Sequence, residues 1–335
     1  SKFTKNFNTN DNTDSTLSLS IQDTSNDKYL KLYKIDSNLV DYSSDVLENS
    51  LNFSHQKEDL FFGLNASVYE TLSEDYNDKY EYILPEITID KNLVANNKIG
   101  NLDLQTSLKT HNYDTNKLTN FFVNDLYWNY NEINYDSGLK GKILGYLKNI
   151  NYETKNVDLY KKEATSEIFA ALGYLSEINL KKDVGQSIHL FKPKMLLRYS
   201  PGGMRKEISG SKLDSVNAFS IDRLNNKNNF ETGLTGTLGF DYKISKNKKE
   251  FDFSVAQIIS DEENKKMDPI TSMDEKLSDL VGSAEYKINN NFILNYNFSI
   301  DQNYNEINYN EFGVALDLNS VSIDFDYLEE SKHIG

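Results

Sequence analysis

Polar and apolar residues alternate one for one through segment after segment of this chain, and no apolar run approaches the ~20 residues of a membrane-spanning helix. A period of two belongs to a β-strand whose faces meet different surroundings. Phe251, Phe253, Val255 and Ile259 share one face against Asp252, Ser254 and Ala256, with Gln257 the one exception on the apolar side. Leu234, Leu238, Phe240 and Tyr242 oppose Thr235, Thr237, Gly239 and Asp241, and the charged stretch Ser245–Glu250 joins the two runs. Short hydrophilic connections between such runs predict antiparallel sheet.

The same rhythm runs along the chain. Residues 1–14 are polar and read as a loop. Leu17, Leu19 and Ile21 begin the first alternation, and Tyr29–Ile35 reads as extended. Val46–Phe53 and Leu60–Val68 predict a hairpin, and Pro85 predicts a bulge or strand boundary because it removes a ladder donor. Residues 120–135 hold the densest aromatics, including Phe121, Phe122, Trp128 and Tyr135, as at a membrane interface. Ser166–Ser176 suits a helix by propensity, but Gly173 and its neighbours favour a strand. Further strands are expected at Leu139–Tyr152, Val281–Ile288, Phe292–Ile300, Val314–Leu318 and Val321–Tyr327. The count is roughly 16, with strand lengths in the membrane-strand range. No linker divides the 335 residues, so they are expected to form one domain.

So many antiparallel strands must close or fold over to manage their edges. A soluble sandwich would turn Leu and Phe inward; a membrane barrel turns them to lipid and Asp and Ser to a lumen. Small residues on the polar face, Tyr near strand ends and uneven loop lengths favour the barrel. A mean hydropathy of −0.62 fits it too, because alternation averages to hydrophilic. The net charge of −15 argues against nucleic acid, which needs a basic face. With no Cys, disulfides and thiolate metal sites are excluded within these residues.

One stretch carries a resemblance. Phe191–Arg205 (Phe-Lys-Pro-Lys-Met-Leu-Leu-Arg-Tyr-Ser-Pro-Gly-Gly-Met-Arg) resembles a segment of the LptD family, the lipopolysaccharide-assembly proteins of the outer membrane. Phe219–Leu224, Phe230–Tyr242, Phe251–Ile259 and Ser278–Gly282 are similar to later segments, with Thr235 and Ala256 where Ser and Gly are usual. The resemblance is clear over about 190–290 and lies mainly in strand rhythm on the flanks. It implies an all-β fold, part of a transmembrane barrel of about 26 strands. It implies a translocon that inserts lipopolysaccharide into the outer leaflet of a Gram-negative cell. The implied partners are lipopolysaccharide, the plug lipoprotein LptE, the periplasmic bridge protein LptA and membrane lipid. The family's N-terminal jelly-roll domain and terminal barrel strands are not recognised in these residues.

No catalytic, metal or cofactor site is expected. His55, His111, His189 and His333 lack metal-ligand spacing, and no Gly-x-Ser-x-Gly elbow occurs. Asn8–Asp14 is rich in oxygen ligands without the EF-hand pattern. The motif residues Pro193, Arg198, Pro201, Gly202, Arg205, Asp222 and Arg223 are candidates for a loop folded into the lumen. Arg198 and Arg205 would meet lipid phosphates or luminal carboxylates, and Asp222 and Arg223 would shape the lipid path or anchor structure. Asp252, Ser254, Asn295, Asn297, Asp317, Asp324 and Asp326 are the expected lumen-lining set. The alternatives are a passive porin-like channel, a barrel enzyme needing a Ser/His or Asp/His cluster, and a soluble β-sandwich binding module.

Overall fold

The computed structural model describes residues 1–10, 13–37, 39–73, 79–208, 211–289, 291–318 and 321–331. Strand makes up 64 % of it and helix almost none. In chain order these are β1 (Lys2–Asn10), β2 (Thr13–Ser20), the helix α1 (Tyr29–Tyr33), β3 (Val46–Lys57), β4 (Leu60–Thr71), β5 (Tyr80–Asn96), β6 (Gly100–Tyr113), β7 (Lys117–Asn129) and β8 (Ile133–Asn134). Then follow β9 (Leu139–Lys155), β10 (Thr165–Ile178), β11 (Leu180–Val184), β12 (Ser187–Ser200), β13 (Gly233–Lys246), β14 (Lys249–Ser260), β15 (Leu280–Asn289), β16 (Phe292–Ile300), β17 (Ile307–Leu318) and β18 (Val321–Glu330). Single 3-10 turns lie at Asn217–Phe219 and Pro269–Thr271.

The alternating segments are strands, and Ser166–Ser176 lies within β10. Two local expectations are corrected. Residues 2–10 are a strand paired with β2, because backbone pairing needs no apolar pattern. Tyr29–Tyr33 is helical, its apolar Leu30 packing with Leu47 and Leu72 rather than joining a ladder. The Pro85 bulge is present: pairing runs Asn65↔Glu86 and resumes at Ser67↔Ile83, so Leu84 and Pro85 together oppose Ala66.

The chain falls into two compact units. The first comprises Ser1–Asn96, Asn101–Tyr127 and Leu147–Ile168. In it β1 to β5 form an antiparallel meander. Phe121 turns inward against Tyr152 and Tyr160, at 5.6 and 5.0 Å, whereas its neighbour Phe122 faces out. The run 120–135 therefore does not present its aromatics on one side.

The second unit comprises Asn97–Gly100, Trp128–Tyr146 and Phe169–Gly335. Its meander runs from β10 through β12 to β18. A two-residue turn joins β13 to β14, whereas residues 201–232, 261–279 and 301–306 form the connections at the opposite end. Pro193 marks a break in the β12 ladder. β12 pairs with β10 up to Lys194↔Glu177 and with β11 from Phe191↔Leu180, so the proline stands in the gap where no donor is needed.

The two faces of this meander are chemically distinct. Register places Phe191, Tyr242, Phe253, Ala284, Tyr296, Phe312 and Tyr327 in one row across seven strands. The rings touch along it, Phe191 to Phe240 at 5.2 Å and Phe240 to Phe253 at 5.9 Å. Phe298 lies across Gly282, where a Cβ would meet its ring at 2.3 Å. Leu197, Leu234, Leu238, Phe325 and Tyr327 on this face are half exposed. Removing that apolar surface from water would be worth about 25 cal/mol per Å².

Candidate functional site: an inner face crossed by a folded segment

On the opposite face the alternation leaves polar residues, and here the 201–232 connection folds back over the strands. Gly202 (φ +95°) starts the turn after Pro201. The segment builds its own small core on the sheet. Met204, Leu213, Ala218 and Leu224 pack with Ala256, Ile258 and Val281 of the strands and with Met267 and Met273 of the 261–279 connection. Ala256 and Ile258 are therefore apolar although they share a face with Asp252 and Ser254.

Small residues make room for it. A Cβ on Gly173 would meet Ile221 Cδ1 at 2.9 Å, and one on Gly239 would meet the Phe219 ring at 3.0 Å. Lys194 sits over that ring, 4.4 Å from its centroid. Further along, Ser215 bonds Ser283 at 3.0 Å. Lys212 reaches Glu330 at 2.6 Å and lies 3.5 Å from the Tyr309 ring centroid. The strap thus crosses from β10 to β18.

A buried ion cluster holds its centre. Arg223 grips Glu231 with Nε to Oε2 at 2.8 Å and Nη2 to Oε1 at 2.7 Å. It also donates to the Thr235 hydroxyl at 2.6 Å. Arg198, from β12, donates to the carbonyls of Ile221 at 2.8 Å and Glu231 at 2.7 Å. Its guanidinium lies 5.0 Å from the Phe230 ring, which stacks on Tyr146 at 4.7 Å. Arg198 and Arg223 are each 1 % exposed and Glu231 4 %. Asp222 accepts from the Tyr146 hydroxyl at 3.3 Å, and Asn229 donates to the Arg205 carbonyl at 3.1 Å. Two arginines on one carboxylate, with Asp222 near, form a balanced cluster that tolerates burial because most of its donors are hydrogen-bonded, Arg198 Nη1 alone standing 3.8 Å from Glu231 Oε1 without a bond.

Beyond the strap, toward the β13–β14 turn, this face is an open polar wall. One row runs Lys243, Asp252, Glu285, Asn295, Gly313, Asp326 and the next Asp241, Ser254, Ser283, Asn297, Glu311. Asp252, Ser254, Asn295, Asn297 and Asp326 line one trough of about 300 Å³ there. Asp324 pairs with Ala315, and Asp317 accepts from the Ser322 hydroxyl at 3.5 Å, both outside that trough. Lysines balance the β12–β14 side: Lys194 meets Asp241 at 2.7 Å and Lys243 meets Glu250 at 2.8 Å. Glu311 accepts instead from Asn297 at 2.9 Å and the Tyr309 hydroxyl at 2.8 Å.

Sequence reading included Phe230 and Glu231 in a motif stretch but gave them no role, and it passed over Lys212, which lies in a long connection without periodicity. The signal was the lapse of alternation at Ala256 and Ile258. It also missed the contact of Ser15 Oγ with His55 Nδ1 at 2.7 Å, where among the described residues no carboxylate orients the ring. His111 bonds Glu81 at 2.5 Å and His189 the Tyr242 hydroxyl at 2.8 Å. His333 and part of Asn8–Asp14 lie outside the described residues. Among the described residues no three acidic or His groups are placed to ligate a metal directly, and no helix is long and apolar enough to cross a membrane.

Residues 2–334 match the sequence model of one family, LptD: LPS transport system D. The chain belongs to the LptD family. The all-β chain is therefore part of an LptD barrel, from an outer-membrane family of lipopolysaccharide transport rather than a known enzyme family. The LptD match covers the flanking strands as well as the motif stretch 190–290 that suggested it. No curated protein matches the chain.

Proposed function

We propose that residues 1–335 form one barrel portion of a translocon that inserts lipopolysaccharide into the outer leaflet of a Gram-negative outer membrane. The observation that carries this reading is the strap. A row of aromatics lies on one face of the second unit's meander, and a folded segment covers part of the polar face opposite. Sugar and phosphate groups would travel along the hydrated wall while acyl chains stay near the apolar side. The long connections 201–232 and 261–279 share one end, which bacterial barrels turn to the cell surface. The strap thus enters from outside. The periplasmic end would receive lipid handed on by LptA, and the open acidic wall leaves room for the plug lipoprotein LptE. Pro193, Arg198, Pro201, Gly202, Arg205, Asp222 and Arg223 serve to seat the strap, and Asp252, Ser254, Asn295, Asn297, Asp317, Asp324 and Asp326 to wet the wall.

The test is reconstitution of the protein with its partners in vesicles. Energised delivery of labelled lipopolysaccharide into the vesicle membrane, with small sugars retained, is expected. Free passage of small sugars without lipid delivery would instead identify a passive porin-like channel.

A further inference from the structure

In the first unit the connection 21–45 joins β2 to β3 and carries α1. It lies at the end of that meander opposite the two-residue turn between β3 and β4. Leu30 of α1 packs on Leu47 and Leu72, with Ile35 and Val40 closing the cluster. Leu47 shares its strand face with Leu51 and Phe53. Register extends that face in rows, Leu19↔Leu51↔Ala66 and Leu17↔Phe53↔Leu64↔Ile87. The opposite face carries Ser50, Asn52, Asn65 and Ser67. So α1 is seated on the apolar face of the sheet, the one a barrel turns to lipid, at one end of its strands.

Residues 28–34 read Lys-Tyr-Leu-Lys-Leu-Tyr-Lys. With Leu30 turned to the sheet, helical spacing puts Tyr29 and Tyr33 together on one flank, Lys31 on the other and Leu32 at the crest. Lys28 and Lys34 cap the two ends. The tyrosine rings stand 4.9 Å apart. Leu32 is 67 % and Tyr33 66 % exposed, an apolar crest that the described protein leaves uncovered. The connection also holds five aspartates, but four are engaged at home: Asp27 by Lys79, Asp36 by the Tyr42 N–H, Asp41 by the Ser43 N–H at 2.7 Å and Asp45 by Lys31 at 2.6 Å. Both partners of the Lys31–Asp45 pair are more than half exposed, so that contact exchanges readily for another anion.

We propose that α1 is an interfacial anchor: it beds Tyr29, Leu32 and Tyr33 in the outer leaflet, and Lys28, Lys31 and Lys34 hold the phosphates of lipopolysaccharide headgroups there. Three observations converge. α1 continues the apolar face that meets lipid. It stands at the end of the long connection, which bacterial barrels turn to the cell surface, and so at headgroup level. Its residues are the kinds that settle at such a boundary, tyrosine rings between oil and water and lysines whose stems reach past them to the phosphates. The anchor rests on the outer-membrane reading above but concerns the outer surface of the barrel, not the lipid path. It pins the height at which this sheet sits in the leaflet.

The chain has no Cys, so a single spin label reports one position. The whole protein carries it at Leu32→Cys or, as reference, at Leu51→Cys. Each is reconstituted into phosphatidylcholine vesicles with increasing lipid A, the phosphorylated anchor of lipopolysaccharide. Collisions with oxygen and with a water-soluble nickel chelate give the depth of the label by electron paramagnetic resonance. Position 51 is expected in the hydrocarbon and position 32 at the headgroup boundary, where added lipid A slows its motion. Lys28→Gln, Lys31→Gln and Lys34→Gln together should raise the lipid A fraction needed by about tenfold or more, since each lysine near an anionic surface contributes about fivefold. Position 32 fully open to the chelate, with position 51 in hydrocarbon, would overturn the anchor and leave the barrel standing. Position 51 in water would overturn the barrel reading and the anchor with it. An unshifted lipid A response in the Gln variant, or the same slowing by inorganic phosphate, would deny the lysines their headgroup role and overturn the proposal.

Discussion

Arg223 and Glu231 face each other through two parallel hydrogen bonds of 2.8 and 2.7 Å, and neither side chain reaches solvent. Their junction ties the strap to the foot of β13. Removing one partner leaves an uncompensated buried charge, at about 3–5 kcal/mol. Glu231→Ala should be the worse of the two single changes, because it strands Arg198 as well as Arg223. Thermal unfolding of both variants in detergent checks the order. Equal losses would mean that Arg198 does not depend on Glu231.

The strap needs Gly173 to be small. Gly173→Ala forces Ile221 and Leu196 apart from contacts of 2.9 and 3.3 Å, an overpacking of about 1–3 kcal/mol. The neighbouring atoms are side-chain tips, so the strands should persist while the strap loosens. Limited proteolysis should then cut within 201–232 faster than in the wild type. Adding Ile221→Val, which trims the clash, should slow it again.

The far tether should matter little for stability. Lys212 and Glu330 are 31 % and 28 % exposed, and such pairs contribute up to about 1 kcal/mol. Lys212→Met should leave the unfolding temperature within a few degrees. A spin label on the strap should nevertheless show a broader range of distances to β18. An unchanged distribution would mean that Ser215 and the apolar core alone fix the strap.

Asp301 gives the turn 301–306 an acid-sensitive clasp. Backbone N–H groups of Asn305 and Glu306, at 2.8 and 3.2 Å, donate to its Oδ1 and hold its carboxyl below the ordinary 3.8. With the folded value depressed, the clasp is fully formed above that ordinary value and is lost as pH falls through the lower, folded one. Hydrogen exchange of residues 301–306 should therefore accelerate below about pH 4, and Asp301→Asn should flatten the acid dependence. An equal slope in the variant would point to another acid.

Strand positions were legible because period-two alternation is a direct print of two environments. Phe251 to Ile259 and Phe292 to Ile300 could be read residue by residue. β1 was not, since its polar sequence carries no contrast between faces. α1 was not, since five residues are too few for a helical period to emerge. At the site, Arg198, Arg223 and Glu231 all lay in motif stretches, but that the carboxylate joins the two arginines was not legible. Glu231 is distant from Arg198 in sequence, and only the folding-back of the 201–232 connection joins them.

The central claim is that Asp252, Asn295 and Asp324 face a lipopolysaccharide path while Leu238 and Phe325 face the bilayer. Photoreactive residues at these five positions, in cells making lipopolysaccharide, test it most directly. The account predicts adducts with lipopolysaccharide or the plug lipoprotein from the first three and with membrane lipid alone from the last two. Membrane-lipid adducts from Asp252, Asn295 and Asp324, with lipopolysaccharide captured only from Leu238 and Phe325, would contradict it.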